Sequence, residues 1–476
     1  MQEPAPVDGH GRLQPIVHSG DNRGQVTAPA YPGDADPPRI DVLDVGVALE
    51  GEHVGADGQL LLKNMRFVSR AFVQKLHKGK IKENDILLVK DGATIGKVAL
   101  LKRMPYAECT VNEHVFILRA ASNCLPGLLY QVLRSQAVQN LIWQQVTGSA
   151  QPGLNSTFTK GTTIALPPLS EQSAIVRYLD YMDRRIQRYI RAKQKLIKLL
   201  EEQKQAIIHQ AVTGRIDVRT GKPYPAYKPS GVEWLGDVPE HWEVLPLCRK
   251  WTVTDCKHLT VPFVDVGIAL ISVGEVQSFD VRLGEAKHTT EEWFQVLVGG
   301  NRQPHRGDLV YCRNVSVGAA AVLETTDTCA MGQDVCLIRS EAQSQRFLNY
   351  FMRSPVMAQQ LALLKVGSTF DRINVSEVKS LIVVVPPPDE QRSIVRSLDR
   401  SLMGTERSIG VIRSELALLR EYRTRLISDV VTGKLDVREA AANLPDDLEE
   451  ELPEDQEQDT EEDEDPVDEQ QVEDEA

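Results

Sequence analysis

The sequence predicts an α+β protein built as an internal pseudo-repeat: two mixed α/β, strand-rich domains separated by two long helices that form an antiparallel coiled coil. Three observations predict it. One offset of 219 residues relates the later parts of the two halves of the 476-residue chain. Each half runs through strand-like apolar segments in the same order. Each half then closes on a long stretch of heptad-spaced apolar residues.

The repeat is legible by direct comparison. PPLSEQSAIVRYLD from Pro167 and PPPDEQRSIVRSLD from Pro386 agree at nine of fourteen positions. The same offset relates AVTGRIDVR from Ala211 to VVTGKLDVR from Val430, and Asn155 to Asn374. Upstream, DILLVKDGATIGKVALL from Asp85 resembles DLVYCRNVSVGAAAVL from Asp308 with one residue deleted, and CTVNEHVFILR from Cys109 resembles CAMGQDVCLIR from Cys329. A period this long describes two copies of a whole domain, not a solenoid unit. Within the first copy, apolar runs at Ile86, Val98 and Val115 read as strands between polar turns.

The stretch after Ser170 holds no Pro or Gly to about Ala211, roughly 60 Å of helix. Ser170 and Asp389 are candidate N-caps, with Glu171 and Glu390 favourable in the first turn. The expected seam of the first helix is Ile175, Leu179, Met182, Ile186, Tyr189, Leu196, Leu200 and Ile207, interrupted at Lys193 and Gln203. In the second helix it is Ile394, Leu398, Ile409, Ile412, Leu416, Leu419, Leu426 and Val430, weakest around Gly404. Gly214 and Gly433 are the expected C-terminal stops. The division is therefore a divergent or disordered segment 1–39, a first domain 40–168, a helix 169–215, a linker 216–230, a second domain 231–387, a helix 388–434 and an acidic tail 439–476.

The net charge of −13 is unevenly placed. Residues 439–476 hold twenty acids and no Lys or Arg, so the preceding 438 residues carry +7. A like-charged, apolar-poor block does not bury enough surface to fold, and the tail is expected to be disordered. The body is mildly basic, which suits an anionic partner. No apolar run spans a membrane and no secretory signal opens the chain, so the expected location is cytoplasmic, with no membrane partner. The seven scattered cysteines form no CxxC pair and read as buried thiols, with no metal site expected.

No complete catalytic motif occurs in the sequence. Asp36-Pro37-Pro38-Arg39 has Arg where a base-flipping methyltransferase needs an aromatic. Gly92-Ala-Thr-Ile-Gly96-Lys97 is too short for a phosphate-binding loop, and neither HExxH nor GxSxG occurs. No catalytic residue is expected.

Three signatures in order carry a family resemblance: GSAQPGLN from Gly148, LPPLSEQSAIV from Leu166 with its long helix ending Ala-Val-Thr-Gly, and SGVEWLGDVPEHWEV from Ser230. Together they resemble the specificity subunits of type I restriction-modification systems, over about residues 41–438. The resemblance implies two target-recognition domains, each reading half of a split site in double-stranded DNA. It implies that the helices set the gap and dock two modification subunits, which methylate adenine. Separate restriction subunits, motor-nucleases, would cut DNA. S-adenosylmethionine, ATP and Mg would then sit on those partners, with no cofactor in this chain. The chain departs from the family at its start: Trp242 has no counterpart near Ser19.

On that reading, affinity comes from cations on phosphates and specificity from polar groups on base edges. The candidates are Lys90, Thr94 and Lys97 in the first copy and Arg313, Asn314 and Ser316 in the second, all on polar turns between strands. Two other readings are a complete methyltransferase and a scaffold that has lost DNA reading. Methyl transfer by the chain alone would mark the former, and assembly without sequence-dependent binding the latter.

Overall fold

The computed structural model describes residues 45–445 apart from 56–57, 63–64, 77, 107, 149–151 and 366–371. The expected segment 1–39, Asp36-Pro37-Pro38-Arg39, and the acidic tail beyond residue 445 lie outside the described residues. The described chain is mixed α/β and falls into two compact units, one within Met1–Ile190 and Ala417–Ala476, the other Arg191–Leu416. Two 44-residue helices, Leu169–Val212 and Pro388–Val431, each contribute one part to each unit.

In the second unit, a four-stranded antiparallel sheet runs in the order Thr252–Asp255, Val335–Arg339, Leu309–Cys312, Ala320–Val322. The strand Leu309–Cys312 is buried at every position, as a strand covered on both faces must be. A smaller sheet pairs Ile268–Ile271 with His288–Thr289 and, in parallel, with Cys329–Met331. A third pairing, Glu243–Pro246 with Ile382–Val385, leads into the second long helix. Trp242 is fully buried beside it. The first long helix ends against this tryptophan. Arg215 N donates to Gln210 O at 3.0 Å across Gly214, whose φ is +73°. A Cβ at Gly214 would lie 2.5 Å from the Pro239 ring and 3.0 Å from Trp242, so both backbone and packing require glycine.

The first unit repeats this topology, with fewer strands among its described residues. Val98–Leu100, Ile86–Val89 and Val115–Leu118 form an antiparallel sheet. Val45–Leu49 pairs with Arg66–Ser69 and, in parallel, with Cys109–Val111. Among the described residues, no strand corresponds to Thr252–Asp255 or Glu243–Pro246. The outer edge of Val115–Leu118 and the stretch Thr163–Leu166 therefore have no strand partner there.

Both long helices begin one residue earlier than the expected caps. Pro168 O accepts from Glu171 N and Gln172 N, and Pro387 O from Glu390 N and Gln391 N, all at 2.9 Å. Ser170 and Asp389 thus sit inside the first turn. A buried glutamine closes each start. Gln172 accepts from Leu125 N at 2.8 Å and donates to Asn123 O and Pro167 O. Gln391 accepts from Ser344 N at 2.9 Å and donates to Pro386 O and Gln343 Oε1.

Within each unit the two helices run antiparallel. In the first, Ile175, Leu179 and Ile186 share a core with Leu426, Ile427 and Val430, and Met182 packs against it. Arg423 donates to both oxygens of Asp183, at 2.5 and 3.1 Å. In the second, Lys193 meets Glu415 at 2.5 Å and Lys204 meets Glu406 at 3.2 Å. Ile394 and Leu398 are buried with Ile208, and Ile207 packs against them. Ile409, Ile412 and Leu416 are also buried there and Leu200 is half-buried, as is Leu419 in the first unit.

Leu196 differs from its expected place: it is 42% exposed, and Tyr189 is 53% exposed. Past Ile186 the shielded row runs through Ile190, Lys193, Ile197, Leu200 and Lys204, with Gln187 and Glu201 half-buried at its edges. Heptad spacing continues there, but after two successive steps of four, 182 to 186 to 190, one of the two rows has moved on by a residue, from Tyr189 and Leu196 to Ile190 and Ile197. Leu179→Ala is expected to cost about 2–5 kcal/mol of stability. Leu196→Ala should change it by less than about 0.5 kcal/mol. Urea midpoints of the two variants check the assignment, and equal losses would restore Leu196 to the seam.

Candidate nucleic-acid interface

In each unit, the antiparallel sheet that holds Ile86–Val89 or Leu309–Cys312 ends where that inner strand gives way to a polar turn. In the second unit this is the end of Leu309–Cys312. Arg313 N donates to Asp334 O and Arg313 O accepts from Ile373 N, both at 2.8 Å, while Asn314 bridges Arg372. In the first unit it is the end of Ile86–Val89. Lys90 N donates to His114 O at 3.0 Å, Lys90 O accepts from Leu154 N at 2.7 Å, and Asp91 bridges Gly153. The same backbone joint is thus built twice, at matching positions of the repeat.

The side chains on the two joints differ. Arg313 is 2% exposed. Its Nη2 lies 2.9 Å from Asp255 Oδ1, 3.3 Å from His258 Nε2 and 3.9 Å from Cys256 Sγ. His258 Nε2 is 3.0 Å from Asp255 Oδ2. The ligand atoms of Asp255, Cys256 and His258 lie within 4.8 Å of one another, a spacing that could hold a cation. The guanidinium already supplies positive charge there. Arg313 is placed as an anchor beneath the turn, where its side chain does not reach solvent.

In the first unit, Lys90 Nζ sits 3.2 Å from Asp91 Oδ2 and 5.4 Å from the centre of the Phe116 ring. His114 Nδ1 lies 3.0 Å from the same Asp91 oxygen. Burial opposes ionisation of Asp91, but the hydrogen bonds from His114 and Lys90 outweigh it and hold the carboxyl below its usual range. Lys90 therefore spends its charge locally. Thr94 lies half-buried on the following turn, between Gly92 and Gly96, which both have positive φ, and Lys97, also half-buried, follows Gly96. Lys97 forms no ion pair among the described residues, whereas Lys90 and Arg313 each face a carboxylate.

The second turn carries a strained residue that sequence reasoning passed over. Val315 has φ +60° and is 74% exposed. Ser316 N donates to Asn314 O across it at 2.6 Å, and Asn314 Oδ1 accepts from Val315 N at 3.0 Å. A β-branched residue at the centre of such a γ-turn costs on the order of 1–3 kcal/mol. Asn314 and Ser316 flank it, half-buried. His258 and Asp334 also have positive φ, so the strain gathers at one end of the sheet. Exposed Leu259, Phe263 and Val266 lie on the loop that follows His258. Gln333 ties that loop to the neighbouring turn through Thr260. Asp91, His114, Asp255, His258 and Asp334 were also missed. Their only signal in the sequence was polarity beside strand ends.

Burial pushes the Cys312 thiol up to about 12 and the Cys329 thiol to about 11, so these two are inert. Among the described residues, no helix is long and apolar enough to cross a membrane.

A family profile, Type I restriction modification DNA specificity domain, matches residues 40–199 and 261–407. The type I restriction enzyme MjaVIII specificity subunit of Methanocaldococcus jannaschii is 20% identical, over 75% of this chain and 80% of its own length. The EcoBI specificity subunit of Escherichia coli is 23% identical, over 81% of this chain and 82% of its own. One solved chain, from work on complex assembly and conformational transition of the type I R-M system, aligns with TM-score 0.61 at 17% identity. The alignment covers 82% of this chain and 92% of that one, a likeness of fold.

Arg313→Met is expected to lower stability by about 2–4 kcal/mol, below the range for a fully buried pair because the Asp255 side chain stays 30% exposed. A urea midpoint equal to wild type would mean that the guanidinium is free to leave the anchor and reach a ligand.

Proposed function

The chain belongs to the family of type I restriction modification DNA specificity domains, and on that premise we propose that each unit reads one half of a bipartite target in double-stranded DNA without performing chemistry itself. The observation that carries this reading is the sheet end built twice with one backbone and two sets of side chains. A duplicated scaffold with divergent turns suits two different half-sites, since base edges are read by side chains while the frame only positions them. Thr94 and Lys97 in the first unit, and Asn314 and Ser316 in the second, are the proposed DNA contacts. Lys90 and Arg313 support them from beneath.

The paired helices set the gap between half-sites and dock two adenine methyltransferase subunits. Exposed apolar side chains on the helices support docking: Tyr189, Leu418 and Tyr422 in the first unit, Leu196, Leu199, Met403 and Val411 in the second. Catalysis, with S-adenosylmethionine, belongs to those subunits. ATP and Mg belong to motor-nuclease restriction subunits, and the assembly works in the cytoplasm.

The test is to co-express the chain with its modification subunit and map methylated adenines across the genome by single-molecule sequencing. A split motif with a constant gap is expected. Methylation governed by one half-motif alone would mean that the first unit, which has fewer strands among its described residues, does not read DNA, and no motif at all would favour a scaffold. In salt titrations of DNA binding, Lys97→Ala should weaken every sequence alike and reduce the slope of log K against log salt by about 1. Lys90→Ala should leave that slope nearly unchanged.

A further inference from the structure

We propose that Val315 reads the 5-methyl group of a thymine in the half-site bound by the second unit. The assignment rests on the reading that the sheet ends face DNA, and it names the chemistry that one of them recognises.

Val315 stands at the apex of its turn with its side chain in solvent and its backbone at φ +60°. Packing within the unit does not reward that placement. The turn is also held from below. Arg313 is bonded through its backbone to Asp334 and Ile373, and its guanidinium is buried against Asp255. Asn314 braces the apex through its own side chain. The frame therefore cannot relax by tilting, and it projects an isopropyl group outward.

The first unit shows the same frame without the group. Its equivalent residue is Gly92, at φ +83°, and a Cβ there would meet nothing within 4 Å. Glycine is the residue that such a backbone favours. The second copy instead carries an apolar side chain against the local preference, and an outlier of this kind points to a function. In the major groove, the apolar group on the base edges is the thymine methyl. Asn314 and Ser316 beside it can take hydrogen bonds from neighbouring edges.

The test uses the full chain assembled with its methyltransferase subunits, on the target mapped as above. Each thymine of the second half-site is replaced in turn by deoxyuridine, which removes the methyl alone, and Kd is measured for wild type and Val315→Gly. At one position wild type should lose about fourfold in affinity, the value of one buried methyl. Val315→Gly should show no loss there and keep the rest of its sequence preference. Glycine accepts this φ, so the variant's melting temperature should not fall. No sensitive position, or the same penalty in Val315→Gly, would overturn the role of Val315 while leaving DNA reading intact. A wild-type complex with no sequence preference would instead sink the recognition reading, and this assignment with it.

Discussion

A single buried glutamine at the start of each long helix joins the two kinds of structure in this protein. Gln172 and Gln391 are 1% and 0% exposed, and each makes three hydrogen bonds. Each accepts from the residue just before a short helix of its own sheet-bearing region, Leu125 or Ser344. Each also donates to the proline-rich entry of its own long helix. Within each unit the side chain thus fixes the sheet-bearing region to the helix. Leaving any of these partners unpaired in a dry site would cost about 1–3 kcal/mol. That asymmetry makes the joint rigid: there is no good alternative for the groups it satisfies.

The helices depend on this joint, and on each other. Half of a long helix cannot hide its apolar stripe alone, so each unit closes the stripe with the partner helix's opposite half. Where the stripe is interrupted, charge takes over. Lys193 and Lys204 sit at shielded positions and are answered by Glu415 and Glu406. Asp183 is answered by Arg423. Such partly exposed pairs contribute modestly to stability. They do disfavour a slipped register, because a shift of one turn would leave each charge facing carbon.

The sheet ends show how one scaffold can support two readings. Backbone hydrogen bonds at Lys90 and Arg313 are the same, so the turns start from the same place in both units. What differs lies beyond them: Asp91 and His114 in one, Asp255 and His258 in the other. The second pair comes from the strand Thr252–Asp255 and its following turn, which has no counterpart among the described residues of the first unit. The two units thus hold a cation, an acid and a histidine at the same joint by different routes.

The sequence by itself determined the repeat, the α+β class, the two long helices and their glycine stops. These follow from period, composition and backbone preference, which are local properties of the chain. It did not reveal that Leu196 leaves the seam, because a drift of a fraction of a turn shows only against a partner helix two hundred residues away. Nor did it reveal that Arg313 turns inward, since Asp255 waits for it on a strand 58 positions earlier. Val315 looked like any turn residue until its φ and exposure were known. Tertiary structure decided these matters because each depends on which distant group fills the space beside a side chain, and neither period nor propensity encodes that.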